Sequence, residues 1–198
     1  MMKWMMHVRG LLDRSRALDF LAPLLLRAYL VPVFWMAGMS KFNHFNSTVE
    51  WFGNPDWGLG LPFPTALAFL AAATELAGSV LLALGLGVRL IAVPLIATMV
   101  VAIFTVHLEH GWLAIAEFAG PFATDRTMMA IERLNEAKEI LREHGDYAHL
   151  TEHGSLVILN NGVEFAVTYL IMLLSLFFTG AGRYLSVDYW IQKRLTSV

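Results

Sequence analysis

The chain has 198 residues, of which 57% are hydrophobic and 15% are charged, whereas soluble domains average roughly 45–50% and 25%. The net charge of −2 says nothing about nucleic acid, but the chain lacks a Lys and Arg cluster dense enough to bind phosphates, so nucleic acid is not an expected partner. Because the chain has no cysteine, it cannot by itself hold an iron–sulfur cluster, a thiol relay or a covalently attached haem. Any redox centre would have to come from a partner.

The N-terminal segment, residues 1–20, is predicted to form a short basic helix that lies on the membrane surface. Its apolar residues recur at helical spacing opposite its bases, which is typical of an interfacial helix. The apolar residues are Trp4, Val8, Leu11, Leu12 and Leu18, and the bases are Lys3, Arg9, Arg14 and Arg16. These bases also interrupt any signal-peptide core, so we expect no cleavage. The alternative is a frayed tail.

Four apolar runs follow, at about residues 21–42, 64–85, 90–108 and 163–182. Each is close to the roughly 20 helical residues that cross a bilayer core of about 30 Å. The sequence therefore predicts an all-α fold, an integral membrane four-helix bundle that forms a single membrane domain. We expect the lipid bilayer as its environment and an external helical insertion, about residues 110–160, between helices 3 and 4.

Within that insertion, Thr124 followed by Asp125 predicts the N-terminal cap of a helix that reaches about Glu143. One apolar stripe along this helix would cover the bundle, the membrane surface or a partner. Lys and Arg are frequent at both chain ends and absent between residues 43 and 63. The positive-inside rule then predicts a bacterial cytoplasmic membrane protein with both ends in the cytoplasm.

The loop between the first two spans interleaves aromatic residues with glycine and proline. Its aromatic residues are Trp51, Phe52, Trp57 and Phe63. Such residues belong at the headgroup level, so anchoring is the plainer interpretation. The alternative is an aromatic lid over a lipid-soluble substrate.

The charged residues of the spans are the candidates for chemistry. Arg27, Phe34 and Lys41 follow one another at intervals of seven, so they share one face of the first helix. That face is predicted to point inward, because an Arg or Lys at the bilayer centre costs about 2.5–3.5 kcal/mol. If the spans begin and end at the same membrane depths, residues at similar depth can be paired. This predicts two pairs, Arg27 with Glu75 and Lys41 with Glu164.

These pairs have two interpretations. Buried ion pairs can merely set the register of packed helices at a cost in stability. The functional interpretation is that Glu75 and Arg27 line a polar pocket, where the carboxylate passes a proton to a quinone-like substrate. Lys41 and Glu164 would then be the structural pair.

Six of the seven histidines fall on the predicted outer side, namely His44, His107, His110, His144, His149 and His153. His107 and His110 are three apart with Glu109 between them, and one of the last three histidines could complete a site. Imidazole is a common ligand of transition metals, so the sequence raises the hypothesis of a weak metal site here, for which the family resemblance given below suggests copper. The plainer interpretation is a group of solvated loop histidines.

Two segments together resemble the DoxX family of small bacterial four-helix membrane proteins. One segment runs from Arg27 to Phe42 and includes Gly38 and Lys41; the other contains Glu75, Leu76, Ala77, Gly78, Gly85 and Arg89. The closing segment, from Gly180 to Trp190, is similar to the HvfX branch, which is associated with copper-binding modified peptides.

The resemblance implies an accessory subunit of a redox or copper-peptide maturation system, with a membrane or periplasmic protein partner and a quinone or copper as cofactor. Such a subunit would not be a complete enzyme by itself. The alternative is a non-catalytic membrane scaffold or metal-binding protein. The insertion between the last two spans is longer than the family's usual connection, so nothing is carried over to it.

Overall fold

In the computed structural model, which describes residues 16–196, the chain is helical or irregular apart from one isolated β-bridge between Ile115 and Leu159. The predicted interfacial helix lies almost wholly outside the described residues, which include only the 3-10 turn Arg16–Leu18 from that region. The α-helices are α1 (Leu21–Asn43), α2 (Phe45–Gly53), α3 (Pro64–Leu84), α4 (Val88–Ala102), α5 (Asp125–His144), α6 (Tyr147–Leu150), α7 (Glu164–Thr179) and α8 (Val187–Thr196).

Within residues 16–196, three helical stretches are long and apolar enough to cross a membrane. They are Arg16–Asn43, Pro64–Leu84 and Val88–His110, with 28, 21 and 23 residues. The third joins α4 to a π-helical turn, Ile103–His107, and a 3-10 turn that ends at His110. The fourth predicted span is helical over only 16 residues, in α7, fewer than the roughly 20 needed to cross the hydrocarbon core.

The described helices divide into two compact units. Residues 16–98 and 169–196 form the first unit, and residues 99–168 form the second. In the first unit, the buried positions of α1, α3 and α4 recur mostly every three or four residues, as expected for one packed face of each helix. These positions are Pro23, Arg27, Leu30, Phe34 and Gly38 in α1; Ala68, Ala72, Glu75, Gly78, Ser79 and Leu82 in α3; and Val88, Ala92 and Leu95 in α4.

Two glycines bring these helices close together. A Cβ added to Gly38 of α1 would lie 2.8 Å from Cγ and 3.0 Å from the backbone nitrogen of Leu76 in α3. A Cβ added to Gly78 would lie 2.9 Å from two methyl carbons of Leu95 in α4. Small residues allow close packing where lipid removes the hydrophobic driving force between helices. α3 is therefore held between α1 and α4.

Helical structure continues beyond α1, into the segment that was predicted to be the first loop. α2 follows it after the single residue His44, and Gly53 at the end of α2 packs against Pro64, the first residue of α3. The predicted aromatic loop thus contains a helix of nine residues. The backbone N–H groups of Leu59 and Leu61 then donate to the carbonyls of Trp51 and Phe52, which folds the rest of the loop back onto α2.

The turn between α3 and α4 is set by a glycine in the left-handed conformation. Gly85 has φ +65°, and its N–H donates to the carbonyl of Leu82 while the N–H of Leu86 donates to Leu81. This is the Schellman pattern that satisfies carbonyls at a helix end. α3 therefore ends sharply at Leu84.

The second unit contains α5 and α6. Thr124 caps α5 by accepting a hydrogen bond from the N–H of Thr127, and α5 begins at Asp125, as the sequence predicts. Asn160, which is buried, donates from its side chain to the carbonyls of His110 and Leu113. Its side-chain oxygen accepts a hydrogen bond from Arg126. These bonds link the start of α5 to the segments on either side of it within this unit.

Candidate functional site

An ion pair between Lys41 and Glu75 joins the last turn of α1 to the middle of α3. The Lys41 ammonium donates to both carboxylate oxygens of Glu75, at 2.9 and 2.7 Å. The Glu75 side chain is 3% exposed and that of Lys41 is 24% exposed. Charge-assisted bonds of this length are the strong class of hydrogen bond. The two charges therefore neutralise each other where α1 packs against α3.

The close approach at Gly38 positions this pair. Gly38 meets Leu76, the neighbour of Glu75, and Lys41 lies one turn further along α1. Since Gly53 meets Pro64 at the start of α3, α1 and α2 together run antiparallel to α3. Lys41 therefore lies opposite the middle of α3, although it belongs to the last turn of α1.

Both predicted pairings were wrong in their partners. Glu75 pairs with Lys41 and not with Arg27, and the Glu164 carboxylate accepts a hydrogen bond from the backbone N–H of Ala114 at 3.0 Å. The predicted pairs assume that the end of α1 and the start of α3 lie at the same membrane depth. Because α2 extends α1 along α3, each residue of α1 meets α3 about two turns further along than predicted.

Arg27 is directed to the end of α3 instead. Its guanidinium donates to the carbonyl of Leu82 at 3.0 Å and to that of Leu185 at 2.7 Å. The side chain is 2% exposed, and its Nε lacks a hydrogen-bond partner. A Cβ on Gly85 would collide with this guanidinium. Arg27 therefore ties the end of α3 to the segment before α8, and its predicted place in a pocket with Glu75 has no support from this geometry.

Asp188 completes that connection and was missed by the sequence analysis. Its carboxylate accepts from the N–H groups of Gly87 and Val88 at 2.7 and 3.1 Å, and its own N–H donates to the carbonyl of Gly85. A carboxylate at the first N–H groups of a helix satisfies donors that have no partner within the helix. The signal in the sequence was Asp188 itself, an acid among basic anchors, but only the fold brings it to α4.

The histidines predicted to bind copper converge on one backbone oxygen. His107 Nδ1 lies 2.9 Å and His110 Nδ1 lies 3.3 Å from the carbonyl of Asn161, and His110 Nε2 lies 3.2 Å from the Glu109 carboxylate. Among residues 16–196, however, no three His, Cys, Asp or Glu side chains are grouped so that they could hold a metal ion. His144 and His149 each lie close to a single acid, Glu143 and Glu152 respectively. His153 belongs to neither of these pairs. The copper site stays a prediction.

Two comparisons with known proteins find similarity in the part of the chain that contains this pair. The DoxX family model matches residues 22–108, a range that contains Lys41, Glu75 and the close contacts beside them. The chain is also 38% identical over 95 residues to a Bacillus subtilis (strain 168) protein named "Putative oxidoreductase CatD". That match covers 48% of this chain and 66% of the Bacillus protein, just under two thirds of its length. No solved structure matches the chain.

Proposed function

We propose that the chain is a DoxX-like membrane protein that serves as an accessory subunit of a redox system, with the Lys41–Glu75 pair as its polar centre. The observation that carries this proposal is the pair itself, a salt bridge with a 3% exposed carboxylate in the matched segment. The DoxX match and the three apolar stretches point to a membrane protein. The name of the Bacillus relative supports a role connected with oxidation and reduction.

The chemistry of the pair fits such a role. Desolvating two charges is costly, and well-packed apolar residues often replace buried pairs without loss of stability. A carboxylate held within a membrane-crossing segment can accept one proton and return it, whereas the apolar side chains around it cannot. An apolar substrate of the quinone class that takes up protons on reduction is the substrate we propose. We propose that a partner protein supplies the electrons, since a chain without cysteine cannot itself hold an iron–sulfur cluster or a thiol relay.

The proposed arrangement is a four-helix bundle, in which α7 and its flanking residues provide the fourth crossing. The distribution of Lys and Arg supports both ends in the cytoplasm of a bacterial cell. The insertion between residues 110 and 160 would then be external, where it could meet a membrane or periplasmic partner. The HvfX-like branch and its association with copper peptides stay predictions.

Replacing Glu75 by glutamine separates this function from that of a scaffold. The parent and variant chains are expressed from the native locus and purified from native membranes, and their bound proteins and extracted lipid-soluble molecules are identified. The Glu75→Gln protein should keep its abundance and its partner. Its quinone-linked activity per molecule should fall at least about tenfold, as expected when a positioned proton-transfer group is removed.

Glu164→Gln is the matched control, because it neutralises another hydrogen-bonded acid and retains an acceptor for the N–H of Ala114. It should keep the activity. If activity follows protein abundance in both variants, the pair only sets helix register and the chain acts as a scaffold. That result would rule out the redox role of Glu75.

A further inference from the structure

The isolated bridge between Ile115 and Leu159 leaves backbone groups without partners in the second unit. Two hydrogen bonds flank the bridge, from the N–H of Ala116 to the carbonyl of Ile158 and from the N–H of Asn160 to the carbonyl of Ala114. In an antiparallel pair with this pattern, the two bridged residues face each other without exchanging hydrogen bonds. The N–H and C=O groups of Leu159 therefore point away from the segment that contains Ile115.

Residues 155–159, which we call the edge segment, extend this geometry away from the bridge. Their sequence is Ser-Leu-Val-Ile-Leu, an uncharged and apolar run without proline that is typical of a β-strand. Exposed and half-buried residues alternate along it, and the exposed ones are Ser155, Val157 and Leu159. A period of two is that of an extended backbone, in which residues two apart point their backbone groups to the same side. Val157 is therefore directed like Leu159.

The outer side of the edge segment is unpaired. Among residues 16–196, no backbone group forms a hydrogen bond with the N–H or the carbonyl of Val157 or Leu159. The two residues are also 58% and 69% exposed, so no other part of the described chain covers them. An exposed strand edge of this kind is a template for pairing with another chain.

The combination of unpaired backbone groups and exposed apolar side chains indicates what covers this edge. Hydrocarbon would accept the side chains of Val157 and Leu159, but it cannot satisfy N–H and C=O groups. Water satisfies those groups and leaves the side chains exposed. An extended peptide does both, because it offers backbone partners at each second residue and side chains that pack beside those of the edge.

The charge of the second unit indicates the chemistry of that peptide. Residues 99–168 contain ten Asp and Glu residues against four Lys and Arg residues. Two of the acids, Glu117 and Glu152, are exposed and lie close in sequence to the bridge and to the edge segment. Opposite charges across an interface attract and like charges repel. A basic segment is therefore favoured, whereas a second copy of this acidic unit is disfavoured.

We propose that the edge segment is a docking surface for an extended, basic segment of a partner protein, which pairs with it as an added β-strand. The N–H groups of Val157 and Leu159 donate to carbonyls of the partner, and their carbonyls accept from its N–H groups. Basic side chains of the partner face the surrounding acids. This inference deepens the proposed function and rests on it for a protein partner at the insertion.

The test uses the full chain in nanodiscs of phosphatidylcholine, which has no net charge. The probe is a short fluorescent peptide that alternates lysine with valine, and empty nanodiscs give the blank. The peptide should bind the chain and slow the hydrogen exchange of the Val157 and Leu159 amides. A peptide with glutamate in place of lysine, and a lysine peptide with N-methylated amides, should each bind at least about tenfold more weakly, because they lose the charge attraction or the backbone pairing.

Val157→Pro is the matching change in the chain. It removes an N–H that donates to no backbone group within residues 16–196, and proline is tolerated on a strand edge. It should weaken binding of the lysine peptide at least about tenfold, since the added strand loses a hydrogen bond and meets the proline ring. Val157→Thr keeps the N–H and the branched side chain and should bind like the parent chain.

Several results would overturn the inference. These are equal binding to empty nanodiscs, equal affinity of the glutamate or N-methylated peptide, and protection of the Ile115 amide in place of Val157 and Leu159. A parent chain that already protects both amides as a dimer, and that Val157→Pro converts to a monomer, would assign the edge to a second copy instead. The assay measures no redox activity. If the lysine peptide fails to bind while Glu75→Gln abolishes quinone-linked activity, this inference fails and the proposed function stands.

Discussion

Lys41→Met should lower the free energy of unfolding by about 3–5 kcal/mol, the cost of breaking a buried pair by removing one partner. The variant leaves the Glu75 carboxylate, which is 3% exposed, without its ammonium. Glu75→Gln should cost less, since the Lys41 side chain is 24% exposed and its flexible stem can carry the charge toward a more polar region. Reversible unfolding in mixed detergent micelles measures both values.

The double variant, Lys41→Met with Glu75→Gln, removes both charges and completes a thermodynamic cycle. The double variant should be more stable than the Lys41→Met protein. Its loss of unfolding free energy should be far below the sum of the losses in the two single variants. Lys193→Met on the exposed α8 is the control and should change stability by less than about 0.5 kcal/mol. Additive costs in the double variant would contradict direct pairing of the two residues.

Gly38→Ala should also destabilise the fold, although it adds only a methyl group. The new Cβ would meet both the side chain and the backbone nitrogen of Leu76, at 2.8 and 3.0 Å, and a backbone atom in α3 cannot move aside by itself. The expected cost is about 1–3 kcal/mol, typical of overpacking. Because α1 must move away from α3, the hydrogen bonds between Lys41 and Glu75 should also weaken.

Two comparisons make this prediction specific. Gly78→Ala should cost less, because the three atoms nearest to its new Cβ all belong to the side chain of Leu95. Ala28→Leu adds more volume on an exposed position of α1 and should be nearly neutral in a membrane. If Gly38→Ala matches Ala28→Leu in stability, the close approach of α1 and α3 is not a determinant of the fold.

Periodicity predicted which side of each helix is buried, but not the level at which helices meet. The intervals of seven among Arg27, Phe34 and Lys41 indicated an inward face, and Arg27 and Phe34 are indeed almost fully buried. Likewise, α1 and α3 end within one residue of their predicted spans. A side-chain pattern contains this information because each face of a helix follows from residue spacing alone.

The partners of the charged residues depend on axial register, which the loops decide. α2 has nine residues, too few for a clear helical period among the Gly and Pro residues around it. Because the sequence predicts a loop where α2 forms, the predicted register of α1 against α3 is about two turns off, and Arg27 is predicted to pair with the wrong group. Asp188 was missed for a related reason, because its contacts with Gly87 and Val88 join residues about 100 positions apart.

The contact between Lys41 and Glu75 is measured most directly in a lipid bilayer, by dipolar recoupling between ¹⁵N in lysine ammonium groups and ¹³C in glutamate carboxyl groups. A strong coupling should appear in the parent chain, and it should disappear in both Lys41→Met and Glu75→Gln. Arginine-labelled protein should show no such coupling to Glu75. A Glu75 carboxyl coupled to the Arg27 guanidinium, or to neither base, would contradict the account.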